Sequence, residues 1–224
     1  MSTPGIKILI VDDHPVLREG LCSIINNEED MEVCGQASNP TEAIKEIIAT
    51  SPEIAIVDLG MESGLDGLEL IAQITNRFPH LLVLAHSMHD EEIYAERALK
   101  AGAMGYVSKT ESGPKLLEAL RSIHNGDLHL SNNVSSGVMR KYFRGQQTSH
   151  SIVDSLTNRE LEIFELIGHG YSTREIARRI NLKVSTIETH RSNIKDKLMI
   201  RTSAELAKQA VHWVIDKKDR HPGM

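Results

Sequence analysis

Two cysteines, Cys22 and Cys34, are all the chain contains, too few for a disulfide framework. One falls in a helical pattern and the other in a strand pattern, so both read as reduced packing residues. No run approaches the roughly eighteen apolar residues that a membrane span requires. The opening Met1-Ser2-Thr3-Pro4-Gly5-Ile6-Lys7 has no apolar signal core, which sets the expectation of a cytoplasmic chain without a membrane partner. What is present is globular. The 224 residues, 40% hydrophobic and 25% charged, suffice for one large or two small domains with real cores.

The net charge of −6 is unevenly spread. Residues 1–150 carry 12 Lys and Arg against 21 Asp and Glu, whereas residues 151–224 carry 13 against 10. An acidic first part and a mildly basic second part suggest two domains with different partners. The second charge alone would equally describe a solvated surface.

Hydrophobic periodicity separates the same two parts. Strands are expected at 6–11, 31–37, 54–58, 81–86 and 104–107, and helices at 15–27, 40–49, 65–77, 90–101 and 112–125. Five repeats of strand then helix predict an α/β fold, a five-stranded doubly wound parallel sheet. Residues 126–152 break the pattern with Asn, Ser and Gly and read as a linker between domains 1–125 and 153–224, although Val134–Phe143 could form a short helix. From Leu156 onward the pattern is purely helical. Thr157 with Glu160, and Ser172 with Glu175, are capping-box pairs. Four helices, the last expected at 203–214, make a smaller all-α domain whose middle pair has helix-turn-helix spacing.

The strands of the first domain deliver polar groups at their carboxyl ends: Asp12 and Asp13, Asp58, Ser87 and, just beyond the last, Lys109. In an open parallel sheet those ends converge on one crevice. Each Asp alone could be a simple helix cap. Crowded carboxylates, however, are costly unless a cation neutralises them, and Mg²⁺ suits one or two carboxylates with carbonyl, water and phosphate oxygens. An aspartate beside such an ion is a nucleophile able to carry a phosphoryl group.

Here the chain resembles a known family. Val11-Asp12-Asp13-His14-Pro15, Val57-Asp58-Leu59, Leu65–Leu70, Ser87–Asp90 and Ala101–Lys109 resemble the receiver domain of two-component response regulators. Residues 153–215 resemble a LuxR-type helix-turn-helix, and the whole is similar to the NarL/FixJ class. The resemblance implies Asp58 as phosphoacceptor from a sensor histidine kinase. It implies Mg²⁺ held by Asp13, Asp58 and the Gly60 carbonyl, with Asp12 through water. Lys109 would contact the phosphoryl oxygens, and Ser87 and Tyr106 would switch. One departure stands out: the family's proline after the acceptor is Glu62, in a loop one residue longer. A second is His86, where the family has an apolar residue, and its plain reading is a buried neutral histidine.

In the third helix of the second domain, Ile187, Ile194 and Leu198 share one side of a helical wheel, and Glu188, Thr189, Ser192 and Asp196 the other. Any exposed helix face is polar, so only the resemblance makes this one a major-groove reader. It then implies base contacts from Glu188, Thr189, Ser192 and Asn193. Phosphate contacts would come from Lys183, Ser185, Thr186, Arg191, Lys195 and Lys197. The expectation is a transcriptional regulator rather than an enzyme, binding double-stranded promoter DNA as a homodimer when phosphorylated. Two alternatives stay open: a phosphorylation-independent regulator whose receiver is only an interaction module, and an aspartyl-phosphate hydrolase.

Overall fold

The computed structural model describes residues 5–61, 67–88, 91–131, 134–136, 153 and 155–220. The chain divides into two compact units, Met1–Gly145 and Gln146–Met224.

The first unit alternates β1 (Ile6–Val11), α1 (Pro15–Asn26), β2 (Met31–Ala37), α2 (Pro40–Thr50), β3 (Ile54–Asp58), α3 (Gly67–Arg77), β4 (Leu82–Ser87), α4 (Glu91–Ala101), β5 (Gly105–Ser108) and α5 (Gly113–His124). All five strands are parallel in the order β2-β1-β3-β4-β5. Helices cover both faces, which is why the strands read as continuous apolar runs rather than alternations. Ile54 and Ile56 point to one face, with Ile8, Ile10, Leu84 and Val107, and pack on Leu21, Ile25, Leu116, Leu120 and Ile123 of α1 and α5. Ala55 and Val57 are buried on the other face.

Local chemistry sets the helix boundaries. Pro15 and Pro40 occupy first-turn positions, and Asn39 caps α2 by accepting the Glu42 N–H at 3.0 Å. Gly102 ends α4 at φ +106°, against Thr75. Gly67 opens α3 against β3: a Cβ there would overlap the Asp58 carbonyl oxygen and lie 2.6 Å from Leu59 Cα. Only glycine lets α3 start beside the end of β3.

β4 and β5 each begin and end one residue later than expected, which places Ser87 within β4. Residues 127–131, the start of the expected linker, remain on the first unit. His129 pairs with Gly105 beside the edge strand β5. Of the expected 134–143 helix, Val134–Ser136 is helical and the rest lies outside the described residues.

The second unit contains α6 (Asn158–Gly168), α7 (Thr173–Arg179), α8 (Val184–Lys197) and α9 (Ser203–Arg220). Both capping boxes are present. Leu161, Phe164, Ile167, Ile176, Ile187, Ile194 and Leu206 are buried. Phe164 meets the Trp213 ring at 5.8 Å between centroids. α9 continues six residues past its expected end, because Ile215-Asp216-Lys217-Lys218 contains no helix breaker even though the apolar stripe fades. No helix among the described residues is long and apolar enough to cross a membrane.

Candidate functional site

The strand order reverses between β1 and β3, so a crevice opens at their carboxyl ends. Asp58 is the last residue of β3, opposite His86 in register, and Ser87 ends β4 opposite Ser108. Asp12 follows β1, its carbonyl accepting from Arg18 Nη1 of α1 at 2.6 Å. Lys109 follows β5, and its N–H donates to the Ser87 carbonyl at 2.8 Å. The expected groups therefore arrive together from four strands.

The crevice is acidic and largely buried. Asp12, Asp58 and Ser87 are buried, and the Lys109 side chain is only 6% exposed. The Lys109 ammonium lies 2.7 Å from Asp12 Oδ2 and 2.7 Å from Asp58 Oδ2. The Gly60 N–H donates to Asp58 Oδ1 at 2.9 Å, so the Asp58 carboxylate is held from both sides. Burial pushes the Asp58 carboxyl above its ordinary range, against the opposing pull of Lys109 and the Gly60 N–H.

Three carboxylates face one ammonium, and that imbalance fits a divalent cation. Ligand atoms of Asp12, Asp13, His14 and Asp58 all lie within 4.8 Å of one another. Asp12, Asp13 and Asp58 were expected there from sequence; His14 was not counted as a ligand. Its Nδ1 is 2.7 Å from Asp13 Oδ1 and 3.1 Å from Asp12 Oδ1. The Asp-Asp-His triplet was the available signal. Gly60 is exposed beside this cluster, and Tyr106 is buried on β5. Glu62 and the longer loop lie outside the described residues.

His86 is buried as expected, but its Nδ1 has no hydrogen-bond partner among the described residues. Burial, with help from the Lys109 charge, pushes its pKa down to about 4. The imidazole is neutral when folded, so its contribution to stability is full above the ordinary pKa near 6.5 and is lost as pH falls toward 4. At pH 5 that loss is roughly 2 kcal/mol, at 1.36 kcal/mol per unit. His86→Leu is therefore expected to flatten the stability profile between pH 7 and pH 5 in urea titrations. An unchanged slope would contradict a neutral His86.

In the second unit, α7 and α8 are joined through Asn181 at φ 47°, and the Leu182 N–H bonds the Ala177 carbonyl at 2.9 Å. The pair is a helix-turn-helix. Glu188, Thr189, Ser192 and Asn193 of α8 are exposed on one face, with Lys183 and Ser185 at its start. Thr186 and Lys195 are half-buried. Thr189 Oγ1 donates to the Ser185 carbonyl at 3.1 Å. The Arg191 side chain is only 14% exposed and runs back toward Glu188 at 3.9 Å, so it points along the helix rather than outward.

Lys197 departs most from expectation. Its Nζ donates to Glu160 Oε2 at 2.7 Å, across 37 residues, and the same oxygen accepts the Thr157 N–H of the α6 capping box at 2.8 Å. Burial pushes the Glu160 carboxyl up, but the Lys197 ammonium and the Thr157 groups outweigh it and hold the pKa below the usual value. Lys197→Met is expected to cost about 2 kcal/mol, less than a fully buried pair because Lys197 is 36% exposed. The slope of log K against log salt for DNA binding should stay unchanged. A slope shallower by about one would restore Lys197 as a phosphate contact.

A parallel sheet with an acidic cluster at its switch point, joined to a helix-turn-helix, defines a signalling protein with a separate output unit. The chain matches the response regulator receiver domain over residues 8–121 and the bacterial regulatory proteins of the luxR family over residues 154–210. It is 34% identical over 210 residues to the oxygen regulatory protein NreC of Staphylococcus epidermidis, spanning 92% of this chain and 96% of that one. NreC of Staphylococcus carnosus is 34% identical over 209 residues, with the same coverage of 92% and 96%. A solved LuxR-family two-component response regulator from an Aurantimonas species is 29% identical with a TM-score of 0.57, covering 62% of this chain and 99% of that one. RcsB of Salmonella enterica serovar Typhimurium, solved bound to promoter rprA, shares the fold at 23% identity and TM-score 0.59, covering 91% and 97%. The chain belongs to the two-component response regulators that join a receiver domain to a LuxR-type helix-turn-helix. It is a transcription regulator and not an enzyme.

Proposed function

We propose that Asp58 accepts a phosphoryl group from a phosphohistidine on a sensor kinase and that the modified chain binds promoter DNA as a homodimer in the cytoplasm. The observation that carries this reading is Lys109 bridging buried Asp12 and Asp58 at 2.7 Å each. An Asp58 oxygen attacks phosphorus, the P–N bond breaks, and its electron pair returns to the donor imidazole. The donor nitrogen takes up a proton, which balances the charge the carboxylate brought, and the dianionic charge of the transferred group now sits on the phosphoryl oxygens at Asp58. There Lys109 and Ser87 gain charge-assisted hydrogen bonds. Asp12, Asp13, Asp58 and the Gly60 carbonyl would hold Mg²⁺, which supplies charge neutralisation for the phosphoryl group when bound. Tyr106 would follow Ser87 as the β4–α4–β5 surface shifts.

DNA recognition falls to the exposed face of α8. Glu188, Thr189, Ser192 and Asn193 are offered to base edges, and Lys183, Ser185, Thr186 and Lys195 to phosphates. Arg191 joins them only by leaving Glu188. RcsB of Salmonella enterica serovar Typhimurium, which shares the fold, was solved bound to promoter rprA.

The test is incubation of the full chain with Mg²⁺ and a small phosphodonor, followed by intact-mass measurement and peptide mapping. One phosphoryl group on Asp58, absent when the divalent cation is chelated, is the expected result. No gain in mass would favour the receiver as a phosphorylation-independent interaction module.

A further inference from the structure

We propose that Arg18 is a positioning residue for the cation site: by holding the Asp12 carbonyl it turns the chain so that two adjacent carboxylates face one point. The inference rests on the acidic cluster as a divalent-cation site and not on Asp58 as phosphoacceptor.

Neighbouring residues on an extended chain point to opposite sides, so Asp12 and Asp13 should diverge. They do not. One carboxylate oxygen from each lies within 4.8 Å of the other and of an Asp58 oxygen. The Asp12 N–H still bonds the Ala37 carbonyl of β2 at 3.1 Å, which keeps the backbone in the sheet up to that amide. The chain bends next, at Asp13. Two hydrogen bonds fix the bend. Asp12 Oδ1 accepts the His14 N–H at 2.8 Å, closing an Asx-turn over Asp13. The Asp12 carbonyl accepts from Arg18 Nη1 at 2.6 Å. That carbonyl belongs to the peptide unit joining the two acids, and a peptide unit is planar. Its orientation therefore sets where the Asp13 Cα, and the carboxylate it carries, is aimed.

The helix that carries Arg18 starts at once. Pro15 opens α1, and the Arg18 N–H bonds the His14 carbonyl at 3.1 Å, which seats Arg18 one turn into the helix. From there the guanidinium reaches back to a backbone carbonyl, a directional, charge-assisted bond that braces the end of β1 against α1.

The sign of the effect separates this role from that of a plain charge. A fixed cation beside the acids repels a second cation, so removing the Arg18 charge alone would tighten Mg²⁺ binding. Removing the brace loosens the aim of Asp13 and weakens binding by about tenfold or more, the usual loss when a group that orients metal ligands is removed.

Titration calorimetry of Mg²⁺ into the full chain tests this, with a urea titration in chelator to establish that each variant is folded. Arg18→Met should bind Mg²⁺ about tenfold or more weakly than wild type while still folded. Arg18→Lys keeps the charge and one donor on a shorter arm, and its affinity should fall between the two. The lysine variant also decides the matter should the methionine variant fail to fold. Affinity equal to or tighter than wild type in the folded variants overturns the positioning role and leaves the cation site standing. A wild-type chain that binds no Mg²⁺ overturns the cation reading and this inference with it.

Discussion

Asp58→Asn is expected to take up no phosphoryl group under conditions that modify the wild-type chain completely. Asparagine keeps the side-chain volume and the oxygen that accepts the Gly60 N–H at 2.9 Å, so the end of β3 should hold its shape. It removes the nucleophilic carboxylate and, with it, one of the two anionic partners of Lys109, which keeps Asp12 at 2.7 Å. The neighbouring acids are poor substitutes. Asp12 is buried against Lys109, the His14 N–H and His14 Nδ1, and Asp13 faces His14. Stability should not fall. Burial already raises the Asp58 carboxyl above its ordinary range, a sign that its charge is held at a cost. Intact mass and a urea titration check both halves. Equal phosphoryl mass in the variant would move the acceptor to another residue.

Lys109→Met is expected to be the most destabilising single change at the site. The lone ammonium within 2.7 Å of two buried carboxylates disappears, and an uncompensated buried charge of this kind costs about 3–5 kcal/mol. The loss should depend on divalent cation. With chelator the variant should unfold at much lower urea than wild type, and Mg²⁺ should recover part of the difference by replacing the missing positive charge. Wild type should respond less to Mg²⁺, because Lys109 already neutralises part of the cluster. A loss independent of Mg²⁺ would mean that the acidic cluster does not bind the ion, and no loss would mean that the pair is not buried in solution.

Much of the receiver was legible because its physics is local. A strand buried on both faces must be apolar along its length, so Ile54–Val57 and Ile8–Val11 announced themselves, and the acids that ended them marked the crevice. Capping boxes were equally plain, since Thr157 with Glu160 and Ser172 with Glu175 lie three residues apart. The second role of Glu160 was hidden. Its partner Lys197 lies 37 residues away, and nothing in either local pattern joins them. The same holds for the residues after α5: His129 and Ser131 lie in a stretch without periodicity, and their partners Gly105 and Glu91 belong to other elements. Arg191 shows a third limit. A helical wheel gives the direction of a Cβ, but a long side chain can fold back along the helix, as this one does toward Glu188.

Phosphoryl storage in the first unit is expected to control DNA binding by the second. The most direct measurement is the affinity of one preparation, before and after phosphorylation confirmed by intact mass, for DNA selected by the protein from a random-sequence pool. Coupling of ordinary size raises affinity about tenfold or more in the phosphorylated chain, and Asp58→Asn shows no change under the same treatment. Equal affinity of the phosphorylated and unphosphorylated chains would contradict it.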